Sequence, residues 1–440
     1  MVAGFAALIL FGSLLLMLPW ATTAGETDYL TSLFISTSAV CVTGLIVVDF
    51  PNYYTAFGQT VVLVLIQAGG FGVMAGAALV FQLVGRRLSL RSEAALRSSL
   101  FPQGPASAFR ILFRRLVLLT IAAEVLGTLV LFVGLISDRN ASDGAPDALF
   151  SALFQSISAF NNAGFSTYSD SLTGLAGNPL VVAPIALLII AGGLGGIVLI
   201  EVYDAILAFW RTRERRPFRR LSLHTRTVLL TSALLIAGGA LLLEAVGLPE
   251  GRGPYQDVAD AVFQSLTART AGFNTVDIGA LPAASLVLLI GLMFIGGSPA
   301  STAGGVKTTT VAIWLAEVWA ALRRREDAVI LKRSIPPTIV RRALLLISLS
   351  SLWNFGGVLL LLLLERETHP AFLGLLFEQI SAFGTVGLST GITAQLSGPS
   401  QIWIIVTMFV GRLGPLLLAS WALRAEPARV HYASGRMLIG

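Results

Sequence analysis

Long apolar segments alternate along this chain with shorter, half-apolar ones. Eight segments are long enough to cross a bilayer as helices, at residues 2–20, 60–84, 111–136, 180–210, 225–247, 283–320, 343–364 and 401–423. Inside each successive pair lies a stretch of about 14 residues, at 29–42, 147–160, 255–268 and 370–382. These stretches cannot cross roughly 30 Å of hydrocarbon. They predict re-entrant half-helices, which a membrane accommodates only within protein or beside an aqueous cavity.

This order predicts an all-α membrane protein. Four tandem repeats of helix, pore half-helix and helix would surround a pseudo-fourfold pore, with eight transmembrane helices in total. The predicted repeats cover residues 1–84, 109–210, 222–320 and 341–424, and a cytoplasmic tail follows at 425–440.

The loops that follow the half-helices share a glycine. They read VCVTGLIVVD, FNNAGFSTYSD, ARTAGFNTVD and FGTVGLSTGI, and in each the glycine precedes Leu or Phe: Gly44, Gly164, Gly272 and Gly387. A second landmark follows in QAGGFG, IAGGLG, FIGGSP and FVGRLGP, and it lies 26, 29, 25 and 25 residues after the loop glycine, at Gly70, Gly193, Gly297 and Arg412. Two landmarks in a fixed order indicate a fourfold internal repeat.

The loop glycines predict a cation filter. Backbone carbonyls must point inward in a row to replace the hydration shell of a cation, and this needs backbone angles that a Cβ atom usually forbids. Each half-helix would direct the negative end of its dipole toward the loop. One such glycine would more often serve close helix packing, but four in register favour a filter. The predicted filter residues are Val42, Thr43, Gly44, Asn162, Ala163, Gly164, Thr270, Ala271, Gly272, Thr385, Val386 and Gly387.

Composition agrees with a polytopic membrane protein. The 440 residues are 55% hydrophobic and 12% charged, with a mean hydropathy of +0.81, whereas soluble domains carry about 25% charged residues. The single cysteine, Cys41, excludes an internal disulfide, and three scattered histidines are too few for a metal site. No cofactor is expected, and the bound ions would be the transported ones.

Basic residues predict the orientation. Of the 30 lysines and arginines, 24 fall in residues 85–115, 211–226, 320–342 and the tail. The opposite connections contain three arginines and nine acidic residues. By the positive-inside rule, both termini are cytoplasmic and the filter loops face outside. The net charge of +6 then reflects topology and lipid contact rather than binding to nucleic acid.

With these repeats, loops and glycine pairs, the chain resembles the Trk/Ktr/HKT superfamily of potassium transporters over essentially its whole length. The most specific match is IGGSPASTAGGVKTTT, at 295–310, which is similar to the intramembrane loop of that family. GRLGPL, at 411–416, resembles its last pore helix. Trk-type members carry an additional helix pair before the first repeat, and this chain does not. The chain therefore looks most like the ion-translocating subunit of a bacterial Ktr system.

The resemblance implies potassium uptake across the bacterial plasma (inner) membrane, driven by ion gradients as in symport. It also implies a homodimer with one pore per protomer and a cytoplasmic ring of nucleotide-binding regulatory subunits. In plant relatives that prefer sodium, serine replaces the first filter glycine, whereas this chain keeps Gly44. The alternative is a sodium-permeable or sodium-coupled cation transporter or channel of the same fold.

A run of small residues interrupts the apolar segment 283–320. Residues 296–305 read GGSPASTAGG, and ten consecutive small or helix-breaking residues predict a break into two half-helices. Non-helical backbone at this depth belongs in the pore cavity, and the resemblance gives the loop the role of a gate. The predicted gate residues and pore charges are Gly296, Gly297, Ser298, Pro299, Gly304, Gly305, Lys307 and Arg412.

Charged side chains at membrane depth usually face a water-filled path. Lys307 either faces the pore or extends to the inner surface. Arg412 is predicted to form an electrostatic barrier below the filter or to anchor the gate loop. Arg269 is expected to brace a filter loop through Glu378 or Asp260. Pore and packing roles are both open for the remaining acidic residues of the helices, which are Glu124, Glu201, Asp204, Glu244 and Glu317.

Other classes of protein fit the sequence poorly. GFGVMA, at 70–75, has no preceding strand, and GGVKTTT lacks the glycine that a Walker loop needs before Lys307, so no dinucleotide or ATPase site is predicted. An intramembrane protease would need a serine–histidine or paired-aspartate site at membrane depth, and a receptor or scaffold would not need four filter loops. The sequence therefore predicts a transporter rather than an enzyme.

Overall fold

The computed structural model describes residues 2–85, 105–137, 145–212, 221–248, 253–367 and 370–422. The predicted tail at 425–440 and most of the first basic connection lie outside the described residues. The described helices are α1 (Val2–Leu16), α2 (Tyr29–Val40), α3 (Phe50–Tyr53), α4 (Ala56–Gly85), α5 (Pro105–Ser137), α6 (Ala145–Asn161), α7 (Pro179–Leu194), α8 (Gly196–Thr212), α9 (Leu223–Val246), α10 (Pro254–Thr267), α11 (Ala283–Phe294), α12 (Thr308–Leu322), α13 (Pro337–Leu364), α14 (Phe372–Gly384) and α15 (Gly398–Ala422). A short antiparallel hairpin, β1 (Val329–Ile330) and β2 (Arg333–Ser334), joins α12 to α13.

The fold is an all-α membrane protein, as predicted. Among the described residues, three helices have the length and apolarity of a membrane span, and they are Leu112–Ser137 of α5, α9 and α13. The pair α7 and α8 passes the same test together but bends by 109°. Shorter apolar helices include α1, α2, α11, α12 and α14. The total of eight spans and the boundaries of the four repeats stay predictions.

The half-helices α2, α6, α10 and α14 lie against the helices that precede them, which are α1, α5, α9 and α13. In three cases a half-helix serine donates its hydroxyl to a carbonyl of that helix: Ser36 to Ile9 (2.7 Å), Ser156 to Glu124 (2.7 Å) and Ser265 to Ile236 (2.9 Å). The glycine three residues after each carbonyl leaves room for the serine: Gly12, Gly127 and Gly239. In the fourth case Gln379 donates to Asn354 at 3.4 Å, beside Gly357. These bonds fix the depth of each half-helix, since a buried hydroxyl without a partner is costly.

The apolar segment 180–210 does not form one straight span. The chain bends at Gly195, whose φ is +89°, between α7 and α8. The amide of Gly196 donates to the carbonyl of Ala300 at 3.0 Å, and a Cβ on Gly195 would lie 2.6 Å from the carbonyl oxygen of Pro299. Contact with a distant segment therefore fixes the bend. The segment 283–320 breaks where expected, because α11 ends at Phe294 and α12 begins at Thr308.

Candidate ion-binding site

The four loops after the half-helices share one unusual backbone pattern. The φ angle is positive at two residues of each loop, and these two residues are separated by one. The first positions are Val42, Asn162, Thr270 and Thr385, with φ of 55°, 59°, 80° and 50°. The second positions are Gly44, Gly164, Gly272 and Gly387, with φ of 92°, 70°, 78° and 93°. A side chain in this conformation costs about 1 to 3 kcal/mol, so its fourfold recurrence indicates a functional demand on the backbone.

The loops contact one another in a closed ring. A Cβ on each loop glycine would overlap or crowd the carbonyl of the residue before the next loop's glycine: Gly44 meets Ala163, Gly164 meets Ala271 at 2.9 Å, Gly272 meets Val386, and Gly387 meets Thr43. The contacts thus run through the four loops in sequence order and return to the first. We call residues 42–44, 162–164, 270–272 and 385–387 the filter ring. The twelve predicted filter residues meet there, and their binding of potassium stays a prediction.

Serine hydroxyls that the sequence interpretation overlooked support the filter ring. They bind the loop backbone as follows: the Gly44 amide donates to Ser38 Oγ (3.0 Å), Ser158 Oγ donates to the Phe165 carbonyl (2.7 Å), and the Gly387 amide donates to Ser381 Oγ (3.2 Å). Each serine lies six residues before its loop glycine. The third loop is one residue shorter, and Thr267 lies five residues before Gly272. The offset of six residues, shared by three of the four loops, was a signal available in the sequence.

The second landmark brings a glycine against the end of a half-helix. A Cβ on Gly69, Gly192 or Gly411 would overlap the carbonyl oxygen of Val40, Phe160 or Phe383, respectively. Each of these glycines directly precedes a predicted landmark residue. They let the second long helix approach the carbonyl end of the half-helix that leads into the filter ring. In the third repeat the corresponding Gly296 instead faces Gly304, across the intramembrane loop.

The intramembrane loop, residues 296–305, is buried and has fixed hydrogen bonds at both ends. The amide of Gly296 donates to the carbonyl of Val306 (2.9 Å), and the amide of Thr308 donates to that of Gly297 (3.1 Å). Three more backbone bonds join the loop to the bend between α7 and α8: Ser298 to Gly193 (3.1 Å), Thr302 to Gly192 (3.4 Å) and Gly196 to Ala300 (3.0 Å). The loop therefore bridges two of the predicted repeats.

The intramembrane loop also lies directly against the filter ring. A Cβ on Gly304 would overlap the hydroxyl oxygen of Thr385, and one on Gly305 would lie 3.3 Å from the Cα atom of Gly384, which directly precedes the ring. Ser298, Thr302 and Ala303 are almost completely buried. The chain at this point fills the interior beside the fourth filter loop rather than leaving it open.

Both predicted pore charges bind carbonyl oxygens of this loop. Arg412 is buried, and its Nη1 donates to the carbonyl of Thr302, while its Nε and Nη2 have no hydrogen-bond partner among the described residues. The Lys307 ammonium turns back to donate to the carbonyls of Ala303 (2.5 Å) and Gly304 (3.4 Å). This arrangement is the one expected if the two side chains anchor the loop. Lys307 binds the loop rather than extending away from it.

The expected brace of Arg269 is absent from the described hydrogen bonds and ion pairs. Glu378 is instead bound by donors of its own loop, and the Asp260 carboxylate accepts from Gln256 at 3.2 Å. Arg269 Nε has no hydrogen-bond partner within the described part of the chain. The brace through Glu378 does not form, because the half-helix places Glu378 toward the residues that follow its own filter loop, which the sequence distance to Arg269 does not reveal.

The acidic residues without an assigned role have different surroundings. The carboxylate of Glu124 accepts from Gln67 (3.1 Å) and Asn161 (3.2 Å), and so it binds the end of half-helix α6. Glu201 accepts from the amide and hydroxyl of Ser222, at the start of α9. Asp204 lies 3.7 Å from Arg115 in an exposed ion pair. Glu244 is exposed and Glu317 is half-buried. Glu124 and Glu201 therefore each join two elements of the structure through hydrogen bonds.

Comparison with known proteins identifies related transport proteins. A family model described as TrkH, cation transport protein, matches residues 5–426. The chain is 38% identical to the Ktr system potassium uptake protein B of Bacillus subtilis, over 99% of this chain and 95% of the relative. It is 36% identical to the protein of the same name from Vibrio alginolyticus, over 99% and 93%. It is 34% identical to the potassium/sodium uptake protein NtpJ of Enterococcus hirae, over 98% and 94%.

A solved structure has the same fold. The crystal structure of the potassium transporter TrkH from Vibrio parahaemolyticus superposes with a TM-score of 0.70, covering 97% of this chain and 85% of that one. The sequence identity is 18%, so this likeness concerns the fold alone.

Proposed function

This chain belongs to the TrkH family of cation transport proteins, and on that premise we propose that it takes up potassium across the plasma membrane of a bacterium. Ions pass through the filter ring, and the intramembrane loop closes the path beside it. Transport follows ion gradients, since no ATPase motif is visible in the sequence. The termini and the basic connections lie in the cytoplasm, and the filter loops face outside.

The observation that carries this proposal is the closed ring of glycine–carbonyl contacts. It supports a filter because a bare cation needs oxygen ligands from several sides, and four loops around one centre supply them. Positive φ at the glycines and at the residues two before them makes the sign of φ alternate along each loop, and this alternation suits a row of carbonyls on one side of the backbone. The half-helices end at the ring with their carbonyl ends, so that their dipoles favour a cation there.

Potassium uptake by the isolated protein is the direct test. Purified protein in liposomes loaded with potassium should take up rubidium-86, and a potassium-selective filter should show weak competition by external sodium. The alternative is a sodium-permeable or sodium-coupled transporter of the same fold, and it is supported by the relative that is named a potassium/sodium uptake protein. Equal competition by sodium and potassium would favour the sodium-permeable alternative, and no flux of either ion would contradict the proposed function.

The assembly is proposed to be a homodimer with a cytoplasmic ring of nucleotide-binding subunits. The names of the relatives describe parts of a Ktr system, and the exposed basic residues Arg323, Arg324 and Arg325 extend the face on which such a ring would dock. Membrane lipid surrounds the exposed apolar helices.

A test of this assembly follows from its regulation. The isolated subunit should conduct without responding to nucleotides, whereas flux in native membranes should respond to them. Affinity purification from native membranes should recover a soluble nucleotide-binding protein together with the chain. Repeated recovery of the chain alone, under conditions that preserve its dimer, would contradict a Ktr-type assembly.

A further inference from the structure

Three of the four loops carry a side-chain oxygen at the first position of the filter ring. These residues are Asn162, Thr270 and Thr385, and the first loop has Val42 at this position. All four are completely buried and have a φ between 50° and 80°. At the second position of the ring the pattern is reversed, because Thr43 is the one residue there with a side-chain oxygen. The polar side chains therefore gather at one level of the ring, next to the ends of the half-helices.

The amide of Asn162 has a defined orientation. One end of it lies 3.0 Å from the carbonyl oxygen of Ala159 and 3.2 Å from that of Ile189. This end is the NH2 group, because two carbonyl oxygens can be satisfied only by a donor. The other end is therefore the amide oxygen, and it lies 3.4 Å from the hydroxyl oxygen of Thr270 in the next loop. Two oxygens from neighbouring loops thus face each other.

The Thr385 hydroxyl is the third oxygen at this level. It is completely buried and has no hydrogen-bond partner among the described residues. A Cβ on Gly304 of the intramembrane loop would overlap it. The oxygen end of the Asn162 amide faces the same part of the structure, because a Cβ on Gly193, whose carbonyl binds Ser298 of the loop, would lie 3.3 Å from it. These oxygens therefore lie on the side of the ring that the intramembrane loop covers.

The chemistry of the three side chains suits a cation. A buried oxygen without a partner is costly unless a ligand supplies the missing interaction. An alkali cation that leaves water needs oxygen atoms in place of its hydration shell, and amide and hydroxyl oxygens provide them without an ionised group. A hydroxyl keeps its acceptor lone pairs when it donates its hydrogen, so Thr270 can bind the Asn162 oxygen and an ion together.

We propose that Asn162, Thr270 and Thr385 form a side-chain cation site at the loop-covered end of the filter ring, and that this site binds a dehydrated monovalent cation of the size of potassium. The inference rests on the proposed filter function and extends it, because the filter proposal uses backbone carbonyls alone. An ion at this site lies directly behind the intramembrane loop, so it is the last ion held before the loop opens.

Anomalous diffraction from crystals of the full chain grown with rubidium tests the site directly. One rubidium peak should lie among the three side-chain oxygens, in addition to peaks at the level of the ring carbonyls. Thr385→Val removes one of these oxygens at nearly constant volume, and valine is compatible with this backbone because Val42 has a φ of 55°. The side-chain peak should be lost in this variant, while the carbonyl peaks remain. Thr270→Val provides a second, independent loss of one oxygen.

Uptake of rubidium-86 in liposomes gives the functional readout. Thr385→Val should raise KM about fivefold, the effect of losing one net polar contact. Val42→Thr supplies an oxygen at the one position that lacks it, so it should strengthen the side-chain peak and lower KM. Thr120→Val in α5 is the matched control, since its hydroxyl is also buried without a partner among the described residues. This control should change neither the rubidium peaks nor KM.

The two levels of the proposal fail in different ways. Rubidium peaks at the carbonyl level alone, in the unmodified protein, would overturn the side-chain site and leave the filter function intact. A side-chain peak that persists in both Thr385→Val and Thr270→Val would also overturn the site. The absence of any rubidium peak in the ring, together with the absence of flux, would contradict the proposed function itself.

Discussion

Gly44→Ser is expected to reduce the preference for potassium over sodium by about tenfold, which corresponds to about 1.4 kcal/mol. The serine would have to adopt φ near +92°, and its Cβ would overlap the carbonyl oxygen of Ala163 in the neighbouring loop. The ring would widen or shift at this contact, so that its oxygens would no longer match a bare potassium ion. Rubidium-86 uptake in liposomes, with sodium as the competitor, measures the change.

Gly25 offers a matched control for this substitution. Like Gly44, Gly25 has a positive φ, of +74°, and it lies near the same half-helix, because Gly25 precedes α2 and Gly44 follows it. A Cβ on Gly25, however, would meet nothing within 4 Å. Gly25→Ser therefore repeats the backbone strain without the collision and should leave sodium competition unchanged. If both variants shift competition equally, the effect comes from strain in the first repeat, and Gly44 is not a filter residue. Unchanged competition in a correctly inserted Gly44→Ser would lead to the same conclusion.

Deletion of Ser298 to Gly304 should raise potassium flux several-fold and weaken its dependence on the cytoplasmic partner. The deletion removes the buried part of the intramembrane loop, which lies against Thr385. The new junction joins Gly297 to Gly305, and the two strands of the loop are already close beside it, because a Cβ on Gly296 would lie 3.3 Å from the Cα atom of Gly305. The measurement is the initial rate of rubidium-86 uptake per inserted protein, with and without the regulatory subunit.

A milder variant keeps the intramembrane loop but removes one of the two side chains that bind it. Lys307→Met removes the ammonium that binds the carbonyls of Ala303 and Gly304 and should raise flux less than the deletion does. The chain contains one other lysine, Lys332, which is exposed beside the β-hairpin. Lys332→Met is therefore the control and should leave the flux of the isolated subunit unchanged. Wild-type flux and intact regulation in the deletion variant would show that this loop is not the gate.

Local features made much of the fold predictable. The half-helices were placed to within about two residues, because their apolar length is too short for a span and glycine-rich loops follow them. The break before Thr308 was also predictable, since ten adjacent small or breaking residues oppose a helix. The family resemblance seen in the loops is confirmed by the relatives, and these are transport proteins rather than enzymes.

The features that the sequence did not predict depend mainly on contacts between segments that are far apart in the chain or joined by irregular loops. The bend at Gly195 depends on Pro299 and Ala300, about 100 residues later, and glycines are frequent in straight membrane helices as well. The partners of Glu378 are near in sequence, but they follow an irregular loop whose direction the sequence does not show. The loop glycines were recognised by their spacing, whereas their contacts in a ring appear only once the four loops are assembled.

The bend between α7 and α8 has a consequence for conformational populations. Three backbone hydrogen bonds hold the intramembrane loop to it, and at about 1 kcal/mol each their loss costs about 3 kcal/mol. A resting protein would then hold the two segments apart in less than about 1% of molecules. A regulator must bind the separated form about 150-fold more tightly than the resting form to populate the two equally. That preference lies at the upper end of ordinary allosteric coupling, about 1 to 3 kcal/mol, so this contact alone makes spontaneous separation of the two segments rare and regulated separation attainable.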